Sequence, residues 1–271
     1  MINVIANNGV RYIKSNNLKS THGFATRLGG VSVEEHTKGL NLAFDRGDER
    51  DVVLQNLELF ADALGFDAKR IVSVSQIHSA DVRVITDADA GQGYFGEERF
   101  ACDGYVTNVS GITLGVKTAD CVPILMEGRD AFGNVLAVGA VHAGWRGTVG
   151  KIAVECVKKL SAFGVGPENV RAVIGPAICG ECYSVREDFY RSVLAAIGER
   201  DTESFVLPTA ESGVWKCDLR AINREFLERA GLKAENIEVS TECTCCNPEK
   251  YFSHRFTGGR RGTMLSVISM P

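Results

Sequence analysis

Three residues far apart in this chain share a chemistry. His78 ends the run "IVSVSQIH", Cys121 opens "CVPILM" directly after "TAD", and His142 lies in "GAVHAGWRG". Two imidazoles and a thiol are ligand types that suit a borderline-soft divalent ion. Three protein ligands leave one tetrahedral position open, the layout of a catalytic rather than a structural zinc site. The same groups support another chemistry, with Cys121 as a thiolate nucleophile and His142 as its base. The spacings match no compact metal motif, and a free cysteine is often only a small buried hydrophobe. Taken alone, these residues leave ligand, nucleophile and core residue all open.

The elements predicted around them place each residue at a strand end, where side chains can converge. "IVSVSQIH" and "DVRVIT" alternate like half-buried strands, with Gln76 on the same strand face as His78. "GITLGV", "CVPILM", "VLAVGAVHA", "VRAVIG", "NIEVS" and "TMLSVISM" read as further strands. Gly144 and Gly147 after His142 allow a tight turn into a helix over 148–162, lined by Val149, Ile152, Ala153, Cys156, Val157 and Leu160. That helix N-terminus and Arg146 make a corner suited to an anion. "DERDVVLQNLELFADALG" is predicted as a helix with Asp48 as N-cap and Gly65 as its stop. "REDFYRSVLAAIG" and "DLRAINREFLERAG" complete the helices. The mixed order of elements points to one α/β or α+β domain over 1–271 with mixed sheets.

Composition narrows the function classes. The chain has 271 residues, 45% hydrophobic and 24% charged, with a formal net charge of −4. That is ordinary for a soluble globular protein and long enough for a full core. No basic block appears, since "GGRRG" is too short for a nucleic-acid patch, and no apolar run approaches a membrane span. Nucleic-acid and membrane partners are therefore not expected. The N-terminus lacks the basic-then-apolar layout of a signal peptide, so a cytoplasmic location is the expectation. The nine cysteines are odd in number, which favours reduced thiols or metal ligands over a disulfide framework. Of these, Cys179, Cys182, Cys243, Cys245 and Cys246 form a "CxxC" and a "CxCC". Four of them could hold a structural zinc ion, although reduced thiols near the pocket rim are the preferred reading. Only five histidines are present. His36, in "VEEHTK", reads as solvated, and His22 as a hydrogen-bonded core residue.

Longer words in the sequence carry a resemblance. "ATRLGGVS", "GLNLAF", "QIHSADV", "TADCVPIL", "VHAGWRG", "IGPAIC" with "CYSV", and "TECT" with "YFSHRFTGGRRG" occur in order from about Thr21 to the last strand. Together they resemble the family called multicopper polyphenol oxidase (laccase-like) or peptidoglycan editing factor. Its better-supported activity is that of a purine nucleoside phosphorylase. The resemblance implies that His78, Cys121 and His142 are metal ligands, with Zn2+ the usual ion and copper also reported. It implies a layered α/β/β/α fold, similar to the catalytic domain of the cytotoxic necrotizing factors. Two departures from the family pattern, Ser184 for an acidic residue and Phe256 for a second arginine, bear on substrate details.

What the resemblance implies for the reaction can be set beside the residues. Phosphorolysis of adenosine, inosine or methylthioadenosine needs an anion site for phosphate and stabilisation of the departing base. Arg146, Arg27 and Arg255 are the anion-site candidates, and Asn41 and Gln76 could orient ribose or base. Asp120 is a candidate proton acceptor or support for the metal site. Adenosine deamination is an implied side activity. The rivals are a Cys121–His142 amidase editing peptidoglycan precursors and a copper-dependent polyphenol oxidase. Too few histidines are available for a multicopper centre.

Overall fold

The computed structural model describes residues 2–271, the side chains at 200 and 201 excepted. One six-stranded sheet has the order Ile2–Asn7 (β1), Val10–Ser15 (β2), His22–Ala25 (β3), Met264–Ser269 (β15), Thr113–Thr118 (β7) and Ile71–Val72 (β4). It is antiparallel except for the β4–β7 pair. A second six-stranded sheet has the order Ile237–Val239 (β14), Val170–Ile174 (β10), Val122–Arg129 (β8), Val135–Ala143 (β9), Gly104–Thr107 (β6) and Val82–Val84 (β5). Its central strands are antiparallel, and both edge pairs are parallel. Ser184–Arg186 (β11), Val214–Cys217 (β13) and Val206–Pro208 (β12) form a small third sheet.

Alternation along the strands explains the layering. In β3, a Cβ on Gly23 would meet Leu64 of the helix Arg50–Leu64 (α1), whereas Phe24 points to Gly175 beyond β10 of the second sheet. In β8, Leu125 joins the core between the sheets, while Ile124 and Met126 join the outer core. The same parity holds in β10, with Val173 inward and Ala172 and Ile174 outward. The outer core is completed by Ile152–Ser161 (α3), Glu187–Ile197 (α4) and Leu219–Arg229 (α6). The order helix, sheet, sheet, helix is the layered mixed arrangement expected from the resemblance. Each fully buried Leu, Ile or Phe in these layers contributes roughly 1.5–3 kcal/mol of transfer free energy. Among the described residues, no helix is long and apolar enough to cross a membrane.

Three local expectations are corrected, each for a physical reason. The strand predicted over "IVSVSQIH" ends at Val72. Beyond it the Gln76 side chain takes over the pairing with β7: Lys117 N donates to Gln76 Oε1 at 2.6 Å and Gln76 Nε2 donates to Lys117 O at 2.8 Å. His78 therefore sits on a loop and not at a strand end. The helix predicted over 148–162 is two helices, Trp145–Val149 (α2) and α3, because Lys151 adopts a left-handed φ of 60°. Apolar periodicity is blind to that break. Asp48 does not cap α1, whose N-cap is Glu49. Its carboxylate instead accepts hydrogen bonds from Ser32, Thr37 and Asn41. Two further helices, Glu199–Phe205 (α5) and His254–Thr257 (α7), flank the third sheet and the chain end.

Candidate metal centre

The three residues singled out by type come together. One ligand atom from each of His78, Cys121 and His142 lies within 4.8 Å of the others. The two imidazoles cross edge to face, with ring centroids 4.9 Å apart. Access is graded across the group: His142 is buried, Cys121 half-buried and His78 exposed. The open side faces a cleft of about 340 Å³ whose lining includes all three residues.

Glycine makes room for this convergence. A Cβ on Gly144 would lie 2.8 Å from His78 Cδ2, 3.4 Å from Cys121 Sγ and 3.5 Å from His142 Cε1. Only the backbone of residue 144 fits between the ligands. Two ligand segments also carry left-handed backbone at residues that rarely adopt it. His78 has φ 59°, and Asp120, beside Cys121, has φ 99°. Such positions cost about 1–3 kcal/mol each and persist only when their surroundings over-determine them. The determinants are visible at both.

Asp103 holds the first segment. Its buried carboxylate accepts from the backbone N–H groups of Ile77, His78 and Ser79, at 3.2, 3.0 and 2.6 Å. It also accepts from the Ser79 hydroxyl at 2.8 Å and from His142 Nδ1 at 2.8 Å. That last bond fixes the tautomer of His142 and leaves Nε2 for the centre, the usual arrangement behind a metal-bound imidazole. Burial opposes ionisation of Asp103, but the hydrogen bonds from His142 and Ser79 outweigh it and hold the carboxyl below its ordinary range. Asp103 was missed in the sequence. In "ACDGYV" it is a lone acidic residue ahead of a short strand, with no spacing that ties it to His78 or His142.

Asp120 holds the second segment. Thr244 Oγ1 donates to its Oδ1 at 2.6 Å, Arg255 N donates to its Oδ2 at 2.7 Å, and Ile178 N donates to its carbonyl at 3.0 Å. Both carboxylate oxygens thus serve the backbone around Cys121, and among the described residues Asp120 does not line the cleft. Of the two roles expected for Asp120, proton acceptor or support for the metal site, these contacts favour the support.

The chemistry of the donor set fits a divalent ion. Burial opposes ionisation of the Cys121 thiol, yet charge and hydrogen bonding from His142 and then His78 bring its pKa down. Burial opposes protonation of His142, yet Cys121 and Asp103 push its pKa up. Both shifts favour the deprotonated thiol and the protonated imidazole, and a divalent ion bound here would take the place of the imidazole proton.

The other predicted site residues divide. Gln76 lines the cleft, although its amide is engaged with Lys117. Asn41 is fully buried beneath the cleft, where it donates to Ala43 O and Asp48 and accepts from Thr263 N. Arg27 lies over the Phe252 ring and donates to the carbonyls of Pro248 and Lys38. Arg255 lies over Tyr183 and donates to the carbonyls of Cys182 and Ser184. Arg146 is exposed over Trp145, and the short helix α2 starts at Trp145 rather than after Gly147. None of these arginines lines the cleft among the described residues. The cations that do are Arg46, Lys117 and Arg261. Burial, then the nearby Arg46, pushes the Arg261 pKa down, and its Nε is buried without a hydrogen-bond partner. Burial likewise lowers Lys117. An anion among these three would relieve both costs. Elsewhere, His22 is the hydrogen-bonded core residue expected, and half-buried His36 meets the Arg46 carbonyl at 2.9 Å instead of facing solvent.

Comparisons with known proteins find relatives along nearly the whole chain. The family model described as multi-copper polyphenol oxidoreductase laccase matches residues 21–271. A purine nucleoside phosphorylase of Deinococcus radiodurans is 36% identical over 264 residues, covering 97% of this chain and 94% of the relative. An adenosine deaminase, RL5, from an unknown prokaryotic organism is 33% identical, covering 93% of this chain and 94% of the relative. The crystal structure of the hypothetical protein YfiH of Bacillus licheniformis superposes with a TM-score of 0.89 at 32% identity, covering 100% of this chain and 99% of that one.

Proposed function

The chain belongs to the multi-copper polyphenol oxidoreductase laccase family, and from that premise we propose that it is a zinc-dependent purine nucleoside phosphorylase. The observation that carries this reading is the joining of an open three-ligand centre to a cleft lined by Arg46, Lys117 and Arg261. Phosphorolysis needs an anion beside the anomeric carbon, and these three cations, set among Asp45 and Glu98 with Arg46 paired to Asp45 at 3.1 Å, offer a site for it that neither a thiol hydrolase nor a phenol oxidase needs. Zinc suits a tetrahedral N, S, N set with one open position; copper would use the same ligands.

In this reading Arg46 and Arg261 hold inorganic phosphate, and Lys117 adds positive charge from the cleft floor. Phe44, half-buried in the lining, offers an aromatic face to the purine. Phosphate oxygen forms a bond to the anomeric carbon as the bond from that carbon to the base nitrogen breaks, and the base leaves with the electron pair. A zinc ion held by His78, Cys121 and His142 would supply a Lewis acid to the cleft. Asp103 and Asp120 keep the three ligands in place, so no reorganisation is required during the reaction. Adenosine, inosine and methylthioadenosine are the proposed substrates. Adenosine deamination is a proposed side activity, supported by the relative that bears that name.

A second reading has one observation in its favour. The lowered Cys121 and raised His142 pKa values are what a cysteine nucleophile with its base requires. A mass-spectrometric assay of metal-replete protein with inosine and phosphate separates the two. Ribose 1-phosphate is the expected product, and its absence with metal bound contradicts the phosphorylase reading.

A further inference from the structure

A second group of thiols lies outside the cleft. The sulfurs of Cys179, Cys182, Cys243 and Cys246 all lie within 4.8 Å of one another, and Cys245 is not among them. Two Cys-x-x-Cys pairs, one after β10 and one after β14, are thus brought face to face. We propose that these four residues bind a single zinc-class divalent ion as a closed tetrathiolate site that staples the two loops together.

Geometry carries the proposal. At a Zn–S distance of about 2.3 Å, the edges of a sulfur tetrahedron are about 3.8 Å long, inside the 4.8 Å limit that spans the four sulfurs here. Cys182 and Cys246 have sulfurs 3.3 Å apart, well beyond a disulfide bond of about 2.05 Å. A polynuclear iron–sulfur cluster spreads four thiolates over two or four irons, which holds the sulfurs on different irons further apart than one ion does. Backbone donors are already aimed at sulfur: Cys179 N and Cys246 N donate to Cys243 Sγ at 3.2 and 3.4 Å. Such N–H groups stabilise a thiolate more than a thiol.

Charge is matched as well. Four thiolates around a divalent cation carry a net charge of about −2. Two cations stand on the same turn, with Lys216 Nζ donating to the Glu181 carbonyl and Arg255 to the Cys182 carbonyl at 2.9 Å. Binding would displace the thiol protons to solvent, with no oxidation or reduction.

The staple would have a structural consequence. Thr244, inside the second Cys-x-x-Cys pair, donates its backbone N–H to Ala177 and its hydroxyl to Asp120. Fixing this loop fixes the group that holds Asp120, and with it the strained backbone before Cys121. The closed site would therefore support the open centre without touching substrate.

Metal content of the full chain, purified with reductant and saturated with zinc, tests this directly. Two equivalents are expected in the wild type. One should remain in His78→Ala/Cys121→Ala and one in Cys179→Ser/Cys182→Ser. In the first variant, cobalt should replace the remaining zinc and show the strong near-ultraviolet sulfur-to-metal charge transfer of a tetrathiolate. A wild type holding one equivalent that vanishes in His78→Ala/Cys121→Ala overturns the proposal. So does a Cys182–Cys246 disulfide found by peptide mapping with no second equivalent bound. If the cysteine variant fails to fold, the wild type and the histidine–cysteine variant still decide the matter.

Discussion

The two thiol-bearing regions of this molecule differ in ligand number, in access and in their neighbours. At the cleft, two imidazoles and one thiol converge with one side exposed, beside Arg46, Lys117 and Arg261. On the other side of Asp120, four thiols enclose one another and backbone N–H groups point at a sulfur. The first arrangement leaves room for a substrate atom, whereas the second leaves none. Thiols alone do not mark an active site. What distinguishes one is an incomplete ligand set next to groups that recognise a substrate.

Substitutions can break this contrast, and the largest effect should come from the open centre itself. Cys121→Ala is expected to remove the ion there and reduce nucleoside turnover by more than the ~10–100-fold typical of losing an outer partner, while the four-cysteine group keeps its metal. Gly144→Ala should act in the same direction, because its methyl group would collide with His78; metal content checks both. Asp103→Asn is expected to cost about 10–100-fold in metal affinity at the open centre, measured by competition with a chelator. Arg261→Ala should raise the KM for phosphate by about 10–100-fold, as for loss of a charged hydrogen bond worth about 1.5–3 kcal/mol. Arg146→Ala should change it little, and steady-state kinetics on the pair tests the assignment of the anion site.

The smallest effect concerns pH. Burial lowers the Lys117 pKa, with the charges of Glu98 and Asp45 opposing only in part. The folded state therefore binds fewer protons than the unfolded chain between the lowered value and the ordinary lysine value of about 10.4. Stability from this group should rise as pH climbs through that window, while phosphate affinity falls over the same range as the charge is lost. Lys117→Met should abolish both trends in denaturation and kinetic profiles recorded against pH.

The sequence revealed the ligands more readily than their supports. His78, Cys121 and His142 stand in distinctive words, and strands β7 to β10 follow from plain apolar runs. The helix break at Lys151 and the early end of β4 depend on a single φ angle and a single side-chain pairing, which periodicity does not register. Arg27, Asn41 and Arg255 belong to motif words but serve the backbone of this fold. Arg46, Lys117 and Arg261 lie in unrelated segments, and only the assembled layers bring them to one wall. Asp103 is the sharpest case. It is an unremarkable residue in sequence, yet in space one carboxylate orients His142 and the loop that carries His78.

The most direct test is a chelator titration of the zinc-loaded protein, with metal content and ribose 1-phosphate formation from inosine and phosphate followed in the same samples. Activity is expected to disappear with the first equivalent released, the one lost from His78, Cys121 and His142, while the four-cysteine group stays loaded. Turnover that persists after that equivalent has gone would contradict a metal-dependent phosphorylase and leave Cys121 as a nucleophile.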